Sequence, residues 1–232
     1  METVAIVVAK EFSKRLPGKS LMMLGGETIL DRKLRTLKSC ERITRTVVGT
    51  DSELIADIAR SHEADVLWRD EYHCDESRCS ANEMIFDVCS RVTEDIVVWA
   101  HPTNPLVRPE TFDSAIQLFE RGQPQYDSLC SVVAVKEHLW QDGRPFNFDP
   151  WGPKHVLAKD LPSLFMQNGA IFIQEREQMV DNKYFYGKRP YLFEMDEVES
   201  VDINEMKDYL IAKSYFEQFY AAHESDVQPC VD

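Results

Sequence analysis

Four cations, Lys10, Lys14, Arg15 and Lys19, fall in the short stretch Lys10 to Lys19, with Pro17 and Gly18 among them. Such a loop offers mobile positive charge and backbone N–H groups to a polyphosphate. Its spacing fits neither GxxxxGK[ST] nor GxGxxG, so it is not a P-loop and not a dinucleotide fingerprint. A run of charge is also what a solvated loop looks like, and the residues alone leave both readings open. Three further stretches carry chemistry-bearing side chains. His101 stands between Val98 and Arg108 beside Pro102 and Pro105. An imidazole there could move a proton near neutrality, or be an ordinary surface or capping histidine. Asn168-Gly169 pairs an amide suited to hydroxyl-rich ligands with a residue that admits close backbone approach, although Asn-Gly by itself reads as a turn. Asp202, in Ser-Val-Asp-Ile-Asn, is either a hard oxygen donor to a divalent cation or a capping partner of the helix that follows.

These residues need a frame that brings them together. Thr3 to Ala9 is a continuous apolar, mostly β-branched run, the pattern of a strand covered on both faces. Thr28 caps a helix running to about Ser39, with Ile29, Leu30, Leu34 and Leu37 at helical spacing. Thr44 to Thr50 reads as a strand, Asp51 or Ser52 caps a helix to about Ser61, and Ala64 to Trp68 is a third strand. A helix over Ser80 to Val92, a strand over Ile96 to Ala100, a helix opening on Pro109 and a strand over Asp127 to Val135 continue the alternation. Alternation of this kind implies right-handed crossovers and an α/β fold with a doubly wound, mostly parallel sheet. Ligands of such sheets bind beyond the carboxyl ends of strands, which turns the loops beginning at Lys10, Asp51 and His101 toward one cleft.

Past Lys136 the rhythm breaks. Trp140 to Trp151 reads as an irregular hairpin arm, Ala170 to Ile173 and Tyr191 to Met195 as strands, and Asn204 to Tyr220 as an amphipathic helix. The expected organisation is one domain over 1–222, with the arm at about 138–155 and a frayed tail at 223–232.

The chain holds 40 acidic against 26 basic residues, a net charge of −14. A nucleic-acid binder needs a basic face to displace counterions, so nucleic acid is an unfavourable partner. A small anion remains possible where cations are gathered locally. No apolar run approaches the roughly 20 residues that span a bilayer, and Met1 to Ala9 reads as a strand rather than a secretory leader. The six cysteines show no CxxC and no zinc-finger spacing, and scattered reduced thiols suit a cytoplasmic setting.

Taken together the four stretches resemble the acylneuraminate and Kdo cytidylyltransferases. The strand ending at Ala9-Lys10, followed by Ser13-Lys14-Arg15-Leu16-Pro17-Gly18-Lys19, is similar to that family's opening loop, which holds the CTP phosphates and covers the base. Lys10 takes the place of the family arginine and loses its bidentate fork. Val98 to Arg108 resembles the strand and Gln-Pro-Thr-Ser-Pro-Leu loop, with His101 in place of the sugar-contacting glutamine. Asp160 to Ile173 is similar to Leu-Pro-x-x-Tyr-x-x-Asn-Gly-Ala-Ile-Tyr. Ser200 to Asn204 resembles the metal-binding Asp-Ile-Asp segment, with Asn204 in place of its second carboxylate.

The resemblance implies a Rossmann-like nucleotidyltransferase that couples CTP to an acidic 2-keto sugar and releases pyrophosphate. Lys19, Arg15, Asp202 and His101 would carry the chemistry; Lys10, Ser13, Lys14, Arg69 and Ser80 would bind nucleotide. His101, Thr103, Asn104, Gln167, Asn168 and Gly169 would face the sugar, and Asp202 with Asn204 would hold Mg²⁺. A homodimer is implied as well, its arm embracing the neighbour and residues near Phe185 reaching the partner's sugar site. A CMP-Kdo-type or other sugar nucleotidyltransferase, or an impaired binding module of the same fold, is the rival reading.

Overall fold

A computed structural model of the protein describes residues 1–10, 16–122 and 124–220. The strands are β1 (Thr3–Val8), β2 (Met23–Leu24), β3 (Glu27–Thr28), β4 (Arg45–Thr50), β5 (Asp65–Trp68), β6 (Ile96–Trp99), β7 (Ser128–Val135), β8 (Trp140–Gln141), β9 (Arg144–Pro145), β10 (Leu164–Glu175) and β11 (Pro190–Glu194). The helices are α1 (Ile29–Lys38), α2 (Glu53–Ser61), α3 (Glu71–Cys74), α4 (Ala81–Ser90), α5 (Pro109–Glu120), α6 (Arg176–Asn182) and α7 (Met206–Phe219).

Seven strands make the central sheet in the order β11-β7-β10-β6-β1-β4-β5. β1 lies parallel to both β4 and β6, β4 to β5, and β7 to β11; β10 alone runs antiparallel to its neighbours. The chain winds from β1 outward to β5 and then returns to the other side of β1 with β6. The strand order therefore reverses at β1, the place where open α/β sheets bind ligands. β1 and β6 are almost wholly buried, which explains their unbroken apolar runs.

Local chemistry sets the helices as the sequence implies. Thr28 accepts from the Asp31 N–H while Asp31 reaches back to the Thr28 N–H, a capping box that opens α1. Pro109 occupies the first turn of α5. Two apolar clusters fill the faces of the sheet. One, around Leu30, Ile55, Val98, Phe112 and Ile171, lies under α1, α2 and α5; the other, around Ile6, Ile85, Trp99, Phe172 and Met179, lies under α4 and α6. A third cluster holds α7 down through Phe216, Ala212 and Ile203.

Several expectations change. The strand placed at Ala170 to Ile173 runs over Leu164–Glu175, because pairing with both β6 and β7 extends it in both directions. Asn168-Gly169 is a bulge inside that strand and not a turn: the register with β7 shifts between Gln167 and Phe172. Short α3 and α6 carried no clear period in the sequence. The expected arm holds only the small β8–β9 hairpin, with Trp140, Phe146 and Trp151 exposed and Phe148 packed edge-on to Trp140. The expected tail lies outside the described residues. No described helix is long and apolar enough to cross a membrane.

The turn between β2 and β3 ties α7 to the rest. Gly25 has φ +66°, and a Cβ there would run into the Phe216 ring. Gly25→Ala is expected to destabilise the protein by roughly 2–4 kcal/mol, from left-handed strain and overpacking together, read as a lowered urea midpoint with unchanged slope.

Candidate active site

Lys10 follows β1, Arg69 follows β5 and His101 follows β6, each one or two residues past the carboxyl end of a parallel strand. The sheet alone thus carries three distant parts of the sequence to one edge. There they line a cavity of about 650 Å³, closed by Lys19, Thr103, Gln167, Asn168, Gly169, Asp202 and Asn204, with Ser80 at the start of α4. Of the candidate residues that are described, only Asn104 is missing from its wall. Ser13, Lys14 and Arg15 lie outside the described residues.

The cations are held on one side. Lys10 Nζ lies 2.6 Å from a Glu76 carboxylate oxygen and donates to the Cys74 carbonyl at 3.4 Å. Glu76 comes from the segment between α3 and α4. Arg69 is buried; one guanidinium nitrogen donates to the His73 carbonyl, and Nε has no partner. Lys19 Nζ donates to the Ile203 carbonyl at 3.3 Å, between Asp202 and Asn204. The Ser80 hydroxyl is engaged in the capping box of α4, bonded to Glu83 at 2.7 Å.

Asp202 is not the cap of α7. Glu205 is the N-cap, and the Asp208 carboxylate inside the first turn closes a capping box, accepting from the Asn204 and Glu205 N–H groups at 2.9 and 2.8 Å. Asn204 instead donates its side-chain amide to Asp202 Oδ2 at 2.6 Å, and Asp202 Oδ1 is buried without any partner. An unpaired carboxylate oxygen in a buried position is costly unless a cation meets it. The donor set fits Mg²⁺ in that respect: one hard anionic oxygen, one neutral amide beside it, and room in the cavity for substrate oxygens.

The bulge in β10 shapes the opposite wall. Asn168 is 4% exposed. Its Oδ1 accepts from the Ser131 hydroxyl at 2.6 Å, and its Nδ2 donates to the Ser200 hydroxyl at 3.0 Å. Asn104 donates to the Asn168 carbonyl at 3.0 Å and to the Val201 carbonyl at 3.2 Å. The Asn168 amide is spent on the protein at both ends, and Asn104 spends its Nδ2 there while its buried Oδ1 has no partner, so what Asn168 supplies is position. Gly169, at φ +74°, then turns its carbonyl to His101 Nδ1 at 2.7 Å. A carbonyl only accepts, so Nδ1 carries the proton and neutral His101 keeps its lone pair on Nε2.

His101 also sits among aromatic rings. Phe172 and Phe185 lie edge-on to it at 5.9 and 5.5 Å, and Trp99 packs on Phe185 at 5.2 Å. Residues near Phe185 are expected to reach a partner's sugar site in a dimer; Phe185 itself lines the chain's own cavity. Fully buried Lys33 was also missed. Burial pushes its ammonium down to about 7, and its Nζ, 4.9 Å from the Phe112 ring centre, has no hydrogen-bond partner. A lysine on the apolar face of α1 is the only signal that could have drawn attention to it.

A model of the cytidylyltransferase family matches residues 4–224. The chain belongs to that family. It is 28% identical over 236 residues to the CMP-N,N'-diacetyllegionaminic acid synthase of Legionella pneumophila, covering 94% of this chain and 97% of that protein. It is 27% identical over 217 residues to the N-acylneuraminate cytidylyltransferase of Escherichia coli, covering 90% of this chain and 51% of that one. Among solved structures, CMP:2-keto-3-deoxy-manno-octonic acid synthetase complexed with CTP superposes with a TM-score of 0.68 at 13% identity, over 94% of this chain and 99% of that one. That superposition shows the shared fold.

Burial holds His101 below its ordinary pKa of 6.5, against the opposing pull of the Gly169 carbonyl and Asp202. Between the lowered value and 6.5 the unfolded chain binds more protons than the folded one. Its stabilising contribution is therefore complete above pH 6.5 and is lost as pH falls below it. Wild type should lose stability on acidification faster than His101→Gln, by at most about 1.4 kcal/mol per pH unit, measured as urea midpoints from pH 7 to pH 5.

Proposed function

We propose that the protein transfers CMP from CTP to the anomeric hydroxyl of a sialic-acid-like 2-keto sugar acid, releasing pyrophosphate. The observation that carries this reading is the meeting of Lys10, Lys19 and Arg69 with Asp202 and neutral His101 in one cavity at the reversal point of the sheet. Family membership supplies the nucleotidyl-transfer chemistry, and the two named relatives act on acylated amino-sugar acids.

In the transfer the anomeric oxygen forms a bond to the α-phosphorus, the bond to the pyrophosphate oxygen breaks, and the hydroxyl proton leaves. Positioning and charge neutralisation supply most of the acceleration. Lys10 and Lys19 offset negative charge on the departing pyrophosphate. Glu76, which holds Lys10, has a 65% exposed side chain, so exchanging its carboxylate for a phosphate oxygen costs little. His101 is the uncharged group suited to take the hydroxyl proton, and the bond from Nδ1 to Gly169 fixes its orientation. Mg²⁺ would be held by Asp202 Oδ1 with Asn204 beside it, and when bound it neutralises phosphate charge. Thr103, Gln167 and the Gly169 backbone face the sugar, while Asn104 and Asn168 hold that wall in place.

The exposed Trp140, Phe146 and Trp151 support a homodimer in which the arm is covered by a second copy. The free thiols of the five described cysteines support a cytoplasmic setting.

Pyrophosphate release should require CTP and a 2-keto sugar acid together, across a panel of nucleotides and sugars. Turnover with an octulosonate alone would move the assignment to the Kdo branch, and release with none would overturn it. Asp202→Asn should lower kcat at least about a hundredfold with the fold intact; wild-type rates with an unaltered Mg²⁺ titration would remove the metal role. Light scattering at micromolar concentration should give twice the 26.8 kDa chain mass.

A further inference from the structure

Lys10 and Arg69, the cations just past the carboxyl ends of β1 and β5, are both held by one short stretch of chain. Lys10 Nζ pairs with Glu76 at 2.6 Å and donates to the Cys74 carbonyl at 3.4 Å, and an Arg69 guanidinium nitrogen donates to the His73 carbonyl. His73, Cys74 and Glu76 line the same cavity as the cations they hold. Two of the groups that the proposed function gives to the nucleotide thus carry an occupant supplied by the protein. Arg69 Nε stays buried without a partner, so that occupant satisfies the guanidinium only in part.

No apolar burial anchors this stretch. α3 has no buried residue, and every residue from Asp70 to Arg78 is exposed or half-buried. It is closed on itself instead: Asp70 accepts from the His73 N–H at 2.9 Å, and Asp75 accepts from the Ser77 N–H and hydroxyl at 2.9 and 2.6 Å. A unit docked by polar contacts, with little apolar area beneath it, opens at low cost. It is also acidic, with Asp70, Glu71, Asp75 and Glu76 against Arg78. A triphosphate brings negative charge to the same two cations and repels these carboxylates as it arrives. Its charged oxygens bond an ammonium or a guanidinium more strongly than the neutral His73 and Cys74 carbonyls do. The remaining tie, the Lys10–Glu76 pair, is weakened by water because the Glu76 side chain is 65% exposed.

We infer that residues 70–78 form a displaceable acidic plug in the nucleotide site: they occupy Lys10 and Arg69 when no nucleotide is bound and move off them when the triphosphate enters. CTP affinity is then set by competition with this segment, and Glu76 is the residue that tunes it. The plug presupposes the cytidylyltransferase reading above, whose nucleotide half it regulates.

The test compares Glu76→Gln with Glu71→Gln, since Glu71 belongs to the same segment but is 94% exposed and lies 3.9 Å from Arg78. Calorimetry with CTP and Mg²⁺ should show Glu76→Gln binding about fivefold more tightly than wild type, while Glu71→Gln changes affinity less than about twofold. Trypsin cleavage after Arg78, located by mass spectrometry, should run at least about threefold faster in wild type with CTP than without it, and Glu76→Gln should reach the faster rate with no nucleotide. Weaker or unchanged CTP binding in Glu76→Gln would make Glu76 a support for Lys10 and overturn the plug. An equal gain in both variants would assign the effect to net charge and overturn it as well, as would protection of Arg78 by CTP. Should Glu76→Gln fail to fold, the cleavage rates of wild type decide the matter. Wild type that binds no CTP at all would take down the transferase reading, and the plug with it.

Discussion

The buried side chain of Asn168 connects four parts of the chain that are distant in sequence. Ser131 of β7 donates to it, it donates to Ser200 ahead of α7, and Asn104 of the loop after β6 donates to the backbone carbonyl of the same residue. Its own strand closes the set through the Ala170 N–H at 3.2 Å. Each such bond adds only about 1 kcal/mol net, but each group left unpaired in this buried place would cost about 1–3 kcal/mol. The network is therefore close to all-or-none. It fixes the bulge, the bulge sets the Gly169 carbonyl, and that carbonyl sets the tautomer and orientation of His101. The 200–204 segment that carries Asp202 is anchored to the same amide.

The walls of the cavity come from elements with separate structural reasons to be where they are. Parallel pairing of β1, β4, β5 and β6 places Lys10, Arg69 and His101 along one edge. The loop after β6 is pinned from outside the sheet. Arg32 donates to the Pro105 carbonyl and stacks over Phe216, Tyr220 donates to the Leu106 carbonyl, and Glu199 accepts from the Arg108 side chain. α7 and Tyr220 after it thus brace that loop from outside the sheet, and the close approach at Gly25 lets the helix seat.

Three side chains of the cavity share a physical character: each is held by a local partner. Lys10 is a point charge, and Glu76 with the Cys74 carbonyl holds it. His101 is held below its ordinary pKa by burial, with Phe172 and Phe185 edge-on to it. Asn204 donates to Asp202 and fixes the orientation of that carboxylate. Glu76, Phe185 and the Asp202–Asn204 pair lie at varied separations along the chain from the residues they hold.

The sequence by itself determined the alternation of buried strands and amphipathic helices, because period and caps are local properties: Thr28, Pro109 and the run from Thr3 mark elements wherever they occur. It also singled out four stretches, since resemblance acts on contiguous residues, and described residues of all four line one cavity. It left the Asp202 and Asn168 side chains ambiguous, because a cap and a ligand, or a turn and a bulge, use the same residue types. Only the tertiary structure decided between them: Glu205 and Asp208 formed the capping box of α7, two neighbouring strands absorbed Asn168-Gly169 into β10, and long-range bonds occupied the Asn168 amide. The unpaired buried N–H groups of Trp99 and Lys33 were not legible in the sequence, because whether a buried N–H finds an acceptor depends on atoms far away in the chain. A hydrogen bond is satisfied in three dimensions, so it is decided where the strands meet.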